Sequence, residues 1–107
     1  MYPKWNKGTT FQSLAQLGDL AAAFPQKKIY VAETSYPADG HIQPEQGYPA
    51  TPDGQLAYIK AVRAELGRVV PAEQNGGVLW WEASENGWNS LFDARFVARP
   101  ALLKGFK

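Results

Sequence analysis

The sequence predicts an α/β chain with parallel strands, about three βα units from the C-terminal part of a (β/α)₈ barrel, incomplete by itself. Three observations lead there. Helical and strand patterns alternate along the chain, which implies right-handed crossovers and parallel pairing. The strand patterns are apolar on both faces, as strands covered on both sides are. The chain has 107 residues, room for one modest domain over residues 1–107, whereas a closed barrel needs about 250. A doubly wound domain would also need more strands than this.

Each element has its own signal. Thr9 or Thr10 can cap a helix in which Phe11, Leu14, Leu17, Ala21 and Phe24 recur at spacings of three and four, and Pro25 stops it. Lys28 to Glu33 then alternates as a strand: Ile29, Val31 and Glu33 share one face, and Tyr30, Ala32 and Thr34 share the other. Ser35 to Pro49 carries Pro37, Gly40, Pro44, Gly47 and Pro49 without hydrophobic period, and is a long loop. Thr51 caps a second helix with Pro52 at its first position and Asp53 at the positive end of its dipole. Its apolar face runs Leu56, Ile59, Val62, Leu66 and Val69, and Pro71 ends it. A polar turn, Ala72 to Gly77, precedes a second strand, Val78 to Glu82. Beyond the loop Ser84 to Asn89, Pro100 can open a short closing helix. The loop-like start, Tyr2 to Gly8, reads as following a strand that is not in the chain.

Composition narrows the function. Apolar residues make up 45% and charged residues 20%, the proportions of a globular protein. The formal charge is +1 with basic residues scattered, so neither nucleic acid nor an anionic membrane is an expected partner. There is no cysteine, hence no disulfide or thiolate chemistry. No run of about 18 apolar residues could cross a bilayer, and the first residues lack the pattern of an export signal. Phosphate-loop and dinucleotide fingerprints are missing. The single histidine, His41, sits in a proline-rich loop without a nucleophile motif.

What remains is a carboxylate and aromatics. Glu33 continues an apolar row at the C-terminal end of its strand, where an ionised group is costly unless a cleft receives it. In a barrel that end carries the chemistry, and there Glu33 would meet Trp81 and Glu82. The chain has four Trp, five Tyr and five Phe. Tyr2, Trp5, Tyr36 and Trp81 lie at or just after strand ends, where a flat ring can stack on a sugar, while Trp80, in mid-strand, fits the core. Strand-end Glu, aromatic platforms and no cofactor motif together suggest glycoside cleavage.

Tyr2-Pro3-Lys4-Trp5, Leu17-Gly18-Asp19-Leu20-Ala21, Val31-Ala32-Glu33-Thr34-Ser35-Tyr36-Pro37, Tyr48-Pro49-Ala50-Thr51-Pro52-Asp53-Gly54-Gln55, Trp80-Trp81-Glu82 and Leu91-Phe92-Asp93 resemble, in order, the C-terminal part of the arabinogalactan endo-β-1,4-galactanases, glycoside hydrolase family 53. The resemblance implies a (β/α)₈ barrel that cleaves β-1,4-galactan with retention, secreted or otherwise outside the cytoplasm at full length. It implies Glu33 as nucleophile after strand seven, Trp81 as the aromatic after strand eight, and Tyr2 and Trp5 as the aromatic loop after strand six.

Retention needs a second carboxyl about 5 to 5.5 Å from the first. The family's acid/base Glu follows strand four, so this chain alone is expected to be inactive. Glu82 is read as structural, or as a partner supporting the catalytic groups from behind, because strand alternation turns it away from Trp81 unless the strand has already ended. No cofactor is expected. Some family members bind calcium near the last barrel loops, but Asp39, His41, Asn86 and Asn89 show no ligand spacing for it. The alternative is a non-catalytic carbohydrate-binding or self-assembling module, the latter through open barrel edges.

Overall fold

The computed structural model describes residues 10–40, 47–84 and 87–104. Helix α1 (Thr10–Ala23), strand β1 (Ile29–Thr34), helix α2 (Pro52–Val69), strand β2 (Asn75–Trp80) and the short α3 (Pro100–Leu103) follow one another. β1 and β2 pair in parallel, with α2 as the crossover between them. The described residues hold two strands and three helices in the order that the sequence patterns predict.

Side-chain hydrogen bonds mark the start of α2 and the end of α1. In α2 the Thr51 hydroxyl accepts the Gly54 amide at 3.2 Å, and Pro52 occupies the first turn. The loop before α2 presses so closely that a Cβ on Gly54 would overlap the Pro49 carbonyl, so only glycine fits. α1 closes before Pro25, and the buried Gln74 side chain gathers its terminal carbonyls, donating to Ala21 O and Phe24 O at 3.0 Å and to Lys27 O at 3.2 Å.

The core lies between the sheet and the helices. Ile29 and Val31 of β1 meet Leu14 and Ala21 of α1 and Tyr58, Val62 and Leu66 of α2, with Tyr36 and Val70 completing the cluster. At about 25 cal/mol per Å² of apolar surface, this burial is the main term holding the layers together. The helix faces differ from the expected ones at particular places. Phe24 is exposed, since α1 has ended before it reaches the core; Leu56 and Val69 are half-buried, and Gln55 and Tyr58 take the centre of the α2 face.

The strands depart from regular alternation twice. Between Ile29 and Tyr30, β2 advances two residues, Asn75 to Gly77; between Val31 and Thr34, β1 advances three while β2 advances two. The first slip explains why β2 begins at Asn75, within the segment expected to be a turn. Gly76 lies under the Tyr30 ring, where a Cβ would come within 2.5 Å, and Gly77 has φ +95°, so the pair can enter the ladder without side chains. The strand also ends earlier than expected, at Trp80.

The second slip corrects the expected placing of Glu33. Burial along β1 runs buried, exposed, buried, exposed, half-buried, buried. Thr34 therefore takes the helix-facing row of Ile29 and Val31, its hydroxyl 2.9 Å from the Tyr58 hydroxyl. Glu33 does not continue that apolar row; it falls at the bulge. The opposite sheet face is open within this chain, contrary to the expectation of strands covered on both sides: Tyr30 and Leu79 are 54% and 59% exposed.

Candidate functional site

Parallel pairing brings the C-terminal ends of β1 and β2 to one rim. There the Trp81 amide donates to Thr34 O at 2.9 Å, carrying the ladder one residue past β2. Glu33 and Trp81 are thereby neighbours of the same backbone hydrogen bond. Glu33 is half-buried at the bulge, a location where an extra residue re-aims a side chain. Trp81 is 48% exposed.

Glu82 follows with φ +55°, a left-handed conformation that a non-glycine residue adopts at a cost of about 1 kcal/mol or more. The strand has ended two residues earlier, so strand alternation does not decide where Glu82 points. Its half-buried carboxylate lies near Gly87: a Cβ built there would be 4.0 Å from Glu82 Oε2.

Behind these groups stands a wall of buried polar and aromatic residues. Trp80 packs edge-on against Tyr58, centroids 6.4 Å apart, and its indole donates to Asn89 O at 3.0 Å. Tyr36 does not form the expected sugar platform. It is fully buried, stacked on Tyr58 at 4.4 Å, with its hydroxyl donating to Tyr48 O at 2.8 Å. Burial pushes its phenol up to about 12. A second tyrosine on α2 turned this strand-end ring inward. Tyr2 and Trp5 lie outside the described residues.

The loops after the two strands are tied together. The Ala38 amide donates to Trp88 O at 2.8 Å. Gln55, at the start of α2 and fully buried, donates from Nε2 to Tyr36 O and to Asn89 O, both at 2.9 Å. The sequence gives no sign of Tyr58 here, and it offers Asn89 only as a candidate calcium ligand and Gln55 only as part of a family stretch, not as the buried ties they are. The signal available for Gln55 was a glutamine at the head of the apolar stripe that continues through Tyr58, Ile59, Val62 and Leu66.

Of the residues weighed for calcium, His41 and Asn86 fall outside the described residues, Asp39 is exposed, and Asn89 is buried with its amide on Trp81 O. Among the described residues no three His, Cys, Asp or Glu gather as a metal site, and no helix is long and apolar enough to cross a membrane. A cavity of about 250 Å³ lies between α2 and β2, lined by Thr34, Ile59, Val62, Arg63, Val78 and Trp80 among others. Thr34 and Trp80, the last residues of the two strands, line it, whereas Glu33 and Trp81 do not.

Comparison with known proteins gives one consistent result. Residues 1–97 match the family model described as glycosyl hydrolase family 53. An arabinogalactan endo-β-1,4-galactanase of Cellvibrio japonicus is 32% identical over 97 residues, 76% of this chain and 23% of that protein. An uncharacterized protein from the bgaB 5′ region of Niallia circulans is 37% identical over 93 residues, 76% of this chain and 25% of that one. The solved catalytic domain of this family from Ignisphaera aggregans superposes with a TM-score of 0.78 at 25% identity, covering all of this chain and 36% of that one. A solved fungal β-1,4-galactanase superposes with a TM-score of 0.77 at 23% identity, again over 36% of its length, and supports the fold alone. The chain thus spans about a quarter of those two relatives, and its fold is that of part of a (β/α)₈ barrel.

Proposed function

The chain belongs to glycosyl hydrolase family 53, and from that premise we propose that it carries the nucleophile end of an endo-β-1,4-galactanase acting on galactan or arabinogalactan by double displacement. Glu33 attacks the anomeric carbon as the glycosidic C–O bond breaks and the leaving oxygen takes a proton from the acid/base carboxyl; the glycosyl ester is then opened by water, which gives its proton to the same carboxyl, with net retention. Trp81 stacks on the sugar beside it. The acid/base carboxyl comes from barrel units that this chain does not span, so the chain alone turns over no galactan. A secreted or otherwise extracytoplasmic parent enzyme accords with a polysaccharide substrate.

The observation that carries this reading is the position of Glu33. It stands at a bulge on the C-terminal end of a parallel strand, next in the chain to Thr34, whose carbonyl accepts the amide of the half-exposed Trp81, at the barrel end where catalytic groups gather.

The test removes the need for the acid. With a 2,4-dinitrophenyl 2-deoxy-2-fluoro-β-galactobioside, the phenolate leaves unprotonated as the Glu33 oxygen bonds to C1, and the fluorine slows hydrolysis of the resulting ester. Mass spectrometry of peptic peptides should place the galactobiosyl label on Glu33 and find none in Glu33→Gln. A label on Glu82 or another carboxylate, or no label, contradicts the assignment.

One observation favours a second reading, self-association. Each strand of the two-stranded sheet has an edge without a partner among the described residues, and Tyr30 and Leu79 are exposed on its face. Such edges pair readily with another chain. Light scattering at micromolar concentration should then give a dimer or larger species; a monomer across the range rules this out.

A further inference from the structure

Hydrogen bonds close a ring around the rim. Thr34 O accepts the Trp81 amide at 2.9 Å. Trp81 O accepts from Asn89 Nδ2 at 3.3 Å, Asn89 O accepts from Gln55 Nε2 at 2.9 Å, and the same nitrogen donates to Tyr36 O at 2.9 Å. From Tyr36 the chain returns through Ser35 to Thr34. The ring thus joins the loop after β1, the first turn of α2 and the loop after β2; Trp81 sits on it, and Glu33 is the residue before its Thr34.

Two features separate this ring from ordinary packing. Gln55 and Asn89 are completely buried, yet their side-chain oxygens Gln55 Oε1 and Asn89 Oδ1 have no hydrogen-bond partner. Buried acceptors left unpaired are costly, and an apolar residue of the same shape would avoid that cost. What the amides add is on their nitrogen side, where main-chain carbonyls of two loops converge and fix the amide orientation. Second, the half-exposed Trp81 is gripped by its own main chain at both ends, the amide on Thr34 and the carbonyl on Asn89.

We propose that Gln55 and Asn89 are positioning residues, which set the Trp81 ring beside Glu33 for a β-linked galactoside by holding its main chain. Placing the ring for the sugar rests on the functional reading above; holding the main chain does not. Gln55 touches neither Trp81 nor Glu33. It acts through the carbonyls of Asn89, whose side chain holds Trp81 O, and of Tyr36, three residues along the chain from Glu33.

The test combines backbone hydrogen exchange with titration by galactotetraose, on the wild-type chain, Gln55→Met, Asn89→Ala and Trp81→Ala. In Gln55→Met, which keeps shape and loses the donors, the Trp81 and Ala38 amides should exchange about tenfold faster while the α2 amides at Val62 and Leu66 hold their rates. Galactotetraose affinity should fall about tenfold in the folded protein, and Trp81→Ala should abolish binding. Acceleration spread evenly through α2 with affinity unchanged would show Gln55 to be a packing residue and overturn the proposal. Should Gln55→Met not fold, Asn89→Ala removes only the link to Trp81 O; unchanged Trp81 exchange there overturns it equally. A wild-type chain that binds no galactotetraose ends the sugar reading, and Trp81 exchange in the variants still decides whether the ring positions that residue.

Discussion

The two ends of the sheet are each tied by one buried glutamine, and they are tied differently. At the N-terminal end, Gln74 collects the carbonyls of Ala21, Phe24 and Lys27, which belong to the end of one helix and the turn behind it. At the C-terminal end, Gln55 spans two loops from different strands. Every buried side-chain polar atom left unpaired among the described residues, Ser35 Oγ, Gln55 Oε1, Asn89 Oδ1 and Arg99 Nε, sits in the segments that follow the strands or begin α2 and α3. The left-handed Glu82 is there too. One end therefore caps a helix and satisfies its groups, while the other stores cost in a fixed arrangement of backbone. That division is expected where the C-terminal face does the chemistry and the N-terminal face holds the fold.

The sharpest way to break this comparison is to cut the N-terminal tie. Gln74→Ala strands carbonyls of the α1 terminus and should cost about 3 kcal/mol, read as a lower urea midpoint with an unchanged slope. A loss as small as that of an exposed substitution would remove the stability role from that end.

Alkali probes the wall behind the site. Burial raises the Tyr36 phenol to about 12 and raises that of Tyr58 as well. A tyrosine in the unfolded chain ionises near 10, so the folded state binds these protons more tightly. The stability this gives is full below about pH 10 and is lost as pH rises toward 12. Absorbance of tyrosinate should show two phenols that titrate only as the chain unfolds in that window, and Tyr36→Phe should remove one of them.

Smaller effects mark the borders. Thr51→Ala removes the α2 cap and should cost about 1 kcal/mol by thermal or urea melts, without the rim's amides exchanging selectively. Arg68→Gln breaks the exposed pair with Glu65, 2.6 Å apart, and should leave the urea midpoint where it was.

Much of the fold was legible because burial leaves a period. Leu14 and Ala21 in α1, and Ile59, Val62 and Leu66 in α2, follow it, and Thr51-Pro52 announced the helix start. Hydropathy hid what polar residues do inside: Gln55 reads as solvated until the carbonyls it meets are in place. Asn75-Gly76-Gly77 looked like a turn because a strand of glycines shows nothing but backbone. The slip at Glu33 has no side-chain signature, since a bulge depends on the partner strand's register. Tyr36 and Trp81 looked alike as strand-end aromatics. Only the position of Tyr58 separates the ring that is buried from the ring left open.

That one glutamine serves the fold and the other the site is tested most directly by titrating galactotetraose into Gln74→Met and Gln55→Met under conditions where both are folded. Gln74→Met should keep wild-type affinity despite its lower urea midpoint, and Gln55→Met should bind about tenfold more weakly. Equal affinities in the two variants, or the weaker binding in Gln74→Met, would contradict that division of roles.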